Sequence, residues 1–217
     1  MQIHNLSESN SILNHFLAQI RDVSIQNDSL RFRRNIERIG EIMAYELSKV
    51  VSYEDVSIST PLGTKATTKI KDPLVICSIL RAGLTLHHGF LNYFDAAENG
   101  FISAYRHHPN NDDYFDILVE YQAVADIEGK NVLLVDPMLA TGQSIVAVYK
   151  KLVEKKTPAA LHIAVVIAAP EGIAYLKEHL PSTCHLWIGA IDEKLNKKSY
   201  IVPGLGDAGD LAYGPKL

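Results

Sequence analysis

Hydrophobic positions change their period along the chain, and the change divides it. Over residues 9–51 they recur at helical spacing, with Ile12, Leu13, Phe16, Leu17 and Ile20 on one stripe and Ile36, Ile39, Ile42, Met43, Tyr45 and Leu47 on another. Asn27, Asp28 and Ser29 break the pattern, so two helices are expected. Residues 56–70 are Thr-rich and turn at Thr60, Pro61, Leu62 and Gly63, which predicts two short strands forming an accessory β-arm. From residue 72 the grammar differs. Short apolar runs at Leu74 to Leu80, Val132 to Val135, Leu161 to Ala169 and His185 to Ile191 alternate with helical stretches near Leu84 to Ala97, Ser144 to Glu154 and Glu171 to His179. Unbroken apolar runs suit strands buried on both faces, so the expected class is α/β, with a mainly parallel central sheet flanked by helices. Between the first two runs, residues 101–125 read as a hairpin: strands at Ile102 to Tyr105 and Tyr114 to Val124 flank a polar tip from His107 to Asp113. Such a tip is expected to project as a hood or lid that excludes water.

Composition narrows the partners. A chain of 217 residues, 47% hydrophobic, is expected to form a single domain over 1–217. Its charge of -4 and pI near 6.1 give no general attraction to nucleic acid or to an anionic membrane, so any anion site must be local. Arg31, Arg33, Arg34 and Arg38 form a basic stretch early in the second helix, read as a solvated face. Cys77 and Cys184 are too few for a disulfide framework or a zinc site. The N-terminus lacks the basic and apolar regions of a signal peptide, and no apolar run approaches the ~18 residues of a membrane span. A cytoplasmic protein is expected.

Chemistry concentrates in three segments. Residues 132–135 are an apolar strand, Asp136 closes it, and Pro137, Met138, Leu139, Ala140, Thr141, Gly142, Gln143 and Ser144 lead into a helix. Backbone N–H groups at a helix N-terminus favour a phosphate, and an acid beside them can accept from sugar hydroxyls. The segment is neither a Walker loop nor a dinucleotide fingerprint, so a phosphorylated sugar is the expected ligand; an ordinary turn capped by Thr or Ser is the plain alternative. Second, Ser78 to Leu84 places Arg81 at the end of another strand, where it could clamp a diphosphate or simply lie on the surface. Arg106, at the root of the hairpin, is a second cation for the same anion. Third, Tyr200 to Asp210 carries three glycines and Pro203, and is read as an ordered loop rather than a helix, whose main chain could approach a flat heterocycle and whose Asp207 would supply a charged contact. A generic glycine-rich tail is the alternative there.

Together the run Asp136 to Ser144, the loop Ile79 to Leu84, Tyr105 and Arg106, the turn Thr60 to Gly63 and the loop Tyr200 to Asp210 resemble uracil phosphoribosyltransferases over most of the chain. The resemblance implies a type I phosphoribosyltransferase fold and the reaction of uracil with 5-phosphoribosyl 1-diphosphate (PRPP) to UMP and diphosphate. It implies PRPP held by Arg81, Arg106, Asp136, the residues 137–144 and Asp207, and uracil met by Tyr200, Ile201, Gly206, Asp207 and Ala208. Asp207, Arg106 and Asp136 become the catalytic candidates. Mg²⁺ would travel on PRPP with no direct protein ligand, a homo-oligomer (dimer or tetramer) is implied, and GTP is left open as an allosteric activator. Gln143 stands where many relatives have glycine, tolerable if its φ is negative, and Leu211 where many have a basic residue. The other class weighed is a catalytically weak regulator of the same fold that binds nucleotides and RNA, motivated by the basic stretch. A purine phosphoribosyltransferase fits the last loop less well.

Overall fold

The computed structural model describes residues 1–107 and 116–215, apart from the side chains of residues 105–107 and 116. The chain opens with a strand that the hydrophobic pattern does not reveal, β1 (Gln2–Asn5), then two helices, α1 (Ile12–Arg21) and α2 (Ser29–Ser48). Both helices have side-chain caps: Ser11 accepts from the Leu13 N–H and Asp28 from that of Arg31. Leu13, Leu17 and Ile20 are buried against Phe32, Ile36, Ile39, Met43 and Leu47, whereas Ile12 and Tyr45, expected on the same stripes, lie 61% and 56% exposed on their flanks. Next come β2 (Tyr53–Thr60) and β3 (Gly63–Ile70), the expected arm, which pair with each other from Tyr53 opposite Ile70 to Thr60 opposite Gly63. Nearly every arm residue is exposed, Leu62 completely.

The remaining elements are β4 (Leu74–Leu80), α3 (Gly83–Leu91), β5 (Glu98–His107), β6 (Asp116–Val124), β7 (Asn131–Val135), β8 (Met138–Leu139), α4 (Gln143–Leu152), β9 (Ala160–Ala168), α5 (Pro170–His179), β10 (His185–Ile191), β11 (Lys194–Leu195), β12 (Ile201–Val202) and α6 (Ala208–Tyr213). The sheet runs β1-β10-β9-β7-β4-β5-β6, with β8 also pairing β9, and all of it is parallel except β6. Side chains alternate between two apolar cores. Leu133 and Val135 of β7 face α1, α2 and α3, while Val132 and Leu134 face α4 and α5. Two buried faces explain the unbroken apolar runs.

Three expectations need correction. The helix after β4 stops at Leu91 instead of running to Ala97, because Phe94 turns back into the core and Glu98 already starts β5. The hairpin is no separate lid at its root: β5 continues the central sheet beside β4, and β6 returns antiparallel along the edge. Of its tip, His107 to Asp113, everything beyond the backbone of His107 lies outside the described residues. Finally, Ala208–Tyr213 is helical rather than loop, since Asp207 caps it by accepting from the Asp210 N–H at 3.0 Å.

Candidate active site

The sheet order contains one reversal. From β4 the chain crosses over α3 to β5 on one side, and β7 then lies on the other side of β4, leading over α4 to β9. Open α/β sheets bind ligands at this switch, beyond the carboxyl ends of the two strands. Arg81 follows β4 and Asp136 follows β7, so both candidates border the crevice. Gly83 brings the two loops together: a methyl group there would stand 2.7 Å from the Val135 carbonyl oxygen, so only glycine lets the β4–α3 turn lie against the end of β7.

Asp136 is partly enclosed and accepts a hydrogen bond from the Met138 N–H at 3.1 Å. Burial pushes its carboxyl up to about 7; the Met138 N–H opposes the rise, and the nearby charge of Asp207 adds to it. The segment after it is firmly hung. The Pro137 carbonyl accepts from Val166 and Ile167 at 3.0 Å each, Met138 and Leu139 form β8 against Ile167 and Ala168, and the Leu139 carbonyl accepts from Ala169. Gly142, at φ 81°, turns the chain into α4, which begins at Gln143. No side chain caps this helix, so the plain capped-turn alternative fails; the Thr141 hydroxyl only accepts from Gln143 at 3.4 Å. The first turn of α4 thus begins directly after the segment that follows Asp136, with only a long Thr141 contact to its first N–H.

Arg81 donates from Nη2 to Asp210 Oδ1 and to the Gly214 carbonyl, both at 3.1 Å, while its Nε is buried without a partner. Gly209 lies close to both, since a methyl group on it would touch the Ala82 side chain and Arg81 Nη2 at 3.9 Å. The β4 loop, the β7 loop and the start of α6 thus converge. Asp207 and Gly206 are exposed at this junction, Ala208 is buried as the first residue of α6, Ile201 is buried in β12 and Tyr200 is 50% exposed. Arg106 sits in β5 opposite Ile117, and its side chain lies outside the described residues. Asp210 is a partner of Arg81 that a loop reading of residues 200–210 hides, although the spacing of Asp207 and Asp210 before Leu211 and Ala212 is a helix-start signal. The basic stretch is not one open strip: Arg31 pairs with Asp28, Arg34 with Glu37, and Arg33 donates to the Ala212 carbonyl.

Among the described residues, no three His, Cys, Asp or Glu side chains gather into a group that could hold a metal ion. No helix of these residues is long and apolar enough to cross a membrane.

A parallel sheet with an acid and a glycine-led helix on one side of its switch point, and an arginine loop on the other, defines a type I phosphoribosyltransferase. A hypoxanthine phosphoribosyltransferase from Staphylococcus aureus shares this fold at a TM-score of 0.53 and 16% identity, over 87% of this chain and 84% of that one. Within that class the chain belongs to the uracil phosphoribosyltransferase family, whose model matches residues 7–215. It is 51% identical to the uracil phosphoribosyltransferase of Porphyromonas gingivalis over the full length of both chains. The AQ2163 protein from Aquifex aeolicus superposes at a TM-score of 0.87 with 30% identity, over 98% of each chain.

Proposed function

We propose that this enzyme transfers the phosphoribosyl group of PRPP to uracil, forming UMP and diphosphate for pyrimidine salvage. The observation that carries the reading is the convergence of the Asp136 cradle, the Arg81 loop and the Gly206–Ala208 junction on one crevice. Ala140, Thr141, Gly142, Gln143 and Ser144 would hold the 5′-phosphate at the N-terminus of α4, with Pro137, Met138 and Leu139 also lining the donor site, and Asp136 would take the ribose hydroxyls. Arg81 would bind the diphosphate, whose oxygens suit its unpartnered buried Nε, with Arg106 as the second cation. The main chain of Ile201, Gly206 and Ala208 would read uracil beside Tyr200, with Asp207 between base and donor.

Breaking the bond from C1′ to the diphosphate oxygen builds positive charge on the ribose and negative charge on the leaving group. Arg81 stabilises the latter and Asp136 orients the former, so the chain's contribution is positioning and electrostatics, with no protein nucleophile. The carboxylates Asp136 and Asp207 offer the oxygen chemistry that suits Mg²⁺ carried on the donor, with water and substrate oxygens around it. When bound, the ion neutralises diphosphate charge. The same reading offers the exposed β2–β3 arm to a second copy of the chain, in a dimer or tetramer, because an isolated two-stranded hairpin is marginal in water. Two free, buried cysteines accord with a cytoplasmic compartment.

The test is a base-panel assay with PRPP and Mg²⁺, run with and without GTP. UMP should form from uracil and no nucleotide from hypoxanthine, guanine or adenine; product from a purine alone would reassign the acceptor. Asp207→Asn should lower kcat about 100-fold while the PRPP KM stays within about threefold.

A further inference from the structure

We propose that Arg21 and Asp192 are positioning residues for the acceptor base, an inference that rests on the uracil reading of the loop at 200–208. Arg21 ends α1 and Asp192 follows β10, far apart in sequence. Arg21 Nη1 and Nη2 donate to Asp192 Oδ2 and Oδ1 at 2.8 and 2.6 Å. The same pair grips both polar groups of one loop residue: Nη1 also donates to the Gly204 carbonyl at 2.9 Å, and Asp192 Oδ2 accepts from the Gly204 N–H at 2.9 Å. Asp192 is itself tied to the sheet through its N–H, which donates to the Ala168 carbonyl at 2.8 Å. One residue on, Gln26 Nε2 donates to the Leu205 carbonyl at 3.2 Å and to the last carbonyls of α1.

The Asp192 side chain is only 5% exposed and that of Arg21 23%. Burying such a pair carries a desolvation cost that apolar side chains would avoid, so gross stability does not explain it. Its effect is geometric. Gly204, at φ 65°, is fixed in place, Leu205 is buried behind it, and the chain emerges at Gly206 and Asp207, where the base would be met. Reacting groups must be held within about half an ångström. A rigid anchor two residues away supplies that, although neither Arg21 nor Asp192 touches substrate.

The test is steady-state kinetics of the full chain with uracil and PRPP varied separately. Arg21→Lys keeps the charge and loses the two-pronged grip; Asp192→Asn keeps an acceptor for Gly204 and loses the ion pair. Each should raise the uracil KM about tenfold, leave the PRPP KM within about threefold, and the double variant should be no worse than the weaker single. A uracil KM within about twofold of wild type, or the two KM values rising in parallel, overturns the proposal. If Asp192→Asn does not fold, Arg21→Lys and Gln26→Leu give the same readout. A wild-type chain that makes no UMP overturns the uracil reading itself, and that is known before any variant is assayed.

Discussion

Asp136 keeps its proton where an ordinary carboxyl would lose it. Its pKa lies at about 7 in the fold against 3.8 for a free side chain, so between those values the folded chain keeps a proton that the unfolded chain has released. Stability then falls as pH rises from about 4 to 7 and stays lower above. Asp136→Asn removes that loss while its side-chain oxygen can still accept from Met138. At pH 8 the variant should be more stable by up to about 4 kcal/mol, a Tm increase of roughly 10 °C, and the gain should vanish near pH 4. UMP formation should drop about 100-fold, the mark of a site that trades stability for function. Calorimetry at both pH values checks the first half and the UMP assay the second. Residues such as Asp136 and Arg81 are legible in the sequence because they follow recognisable strands, and the fold rule for parallel sheets sends such positions to the crevice. Arg21 and Asp192 are not, since nothing local links residues 171 positions apart.

Among the elements, the entry to α4 separates a glycine that is required from one that is dispensable. Gly142 carries φ 81°, and a methyl group on it would meet the Gly172 carbonyl at 3.1 Å and the Leu176 and Tyr175 side chains at 3.2 and 3.3 Å. Gly142→Ala should therefore cost roughly 2 kcal/mol and raise the PRPP KM by about tenfold or more. Gln143 is already inside the helix, where any L-residue fits, so Gln143→Gly should change the PRPP KM less than about threefold. Thermal melts and donor titrations of the two variants make the comparison; equal effects would refute it. The strands β4 and β10 match their apolar runs end for end because burial on both faces keeps them mostly apolar, with only Ser78 and His185 polar. β1 was illegible: three of its four residues are polar, and it exists only because β10 offers a parallel edge. α6 is hidden differently, since its glycine argues for a loop until Asp207 is recognised as a cap.

At the scale of the whole molecule, acid stability depends on the opposite end of the sheet from the crevice. There β1 brings His4 beside β9 and β10. The His4 ring stacks on Trp187 at 3.8 Å, its Nε2 lies 3.1 Å from His185 Nδ1, and Trp187 Nε1 donates to His162 Nδ1 at 3.3 Å. Burial first, then the neighbouring His185 and His4, push His162 down to about 4; burial also lowers His4 and His185, with Glu46 of α2 partly opposing for His4 and the N-terminal ammonium adding to the fall for His185. Below their ordinary value of 6.5 the unfolded chain takes up protons that the fold refuses, so these histidines make stability fall as pH drops from about 6.5 to 4. Asp136 acts with the opposite sign in the same window, and the measured slope is the difference. His162→Gln keeps an acceptor for Trp187 but cannot titrate. It should flatten the fall of Tm between pH 6.5 and 4 by roughly 5 °C, whereas Asp136→Asn should steepen it, because the remaining histidines then act unopposed. Tm measured across that window in the two variants decides the matter: slopes that shift in the same direction would show that the two ends of the sheet do not set the acid limit in this way.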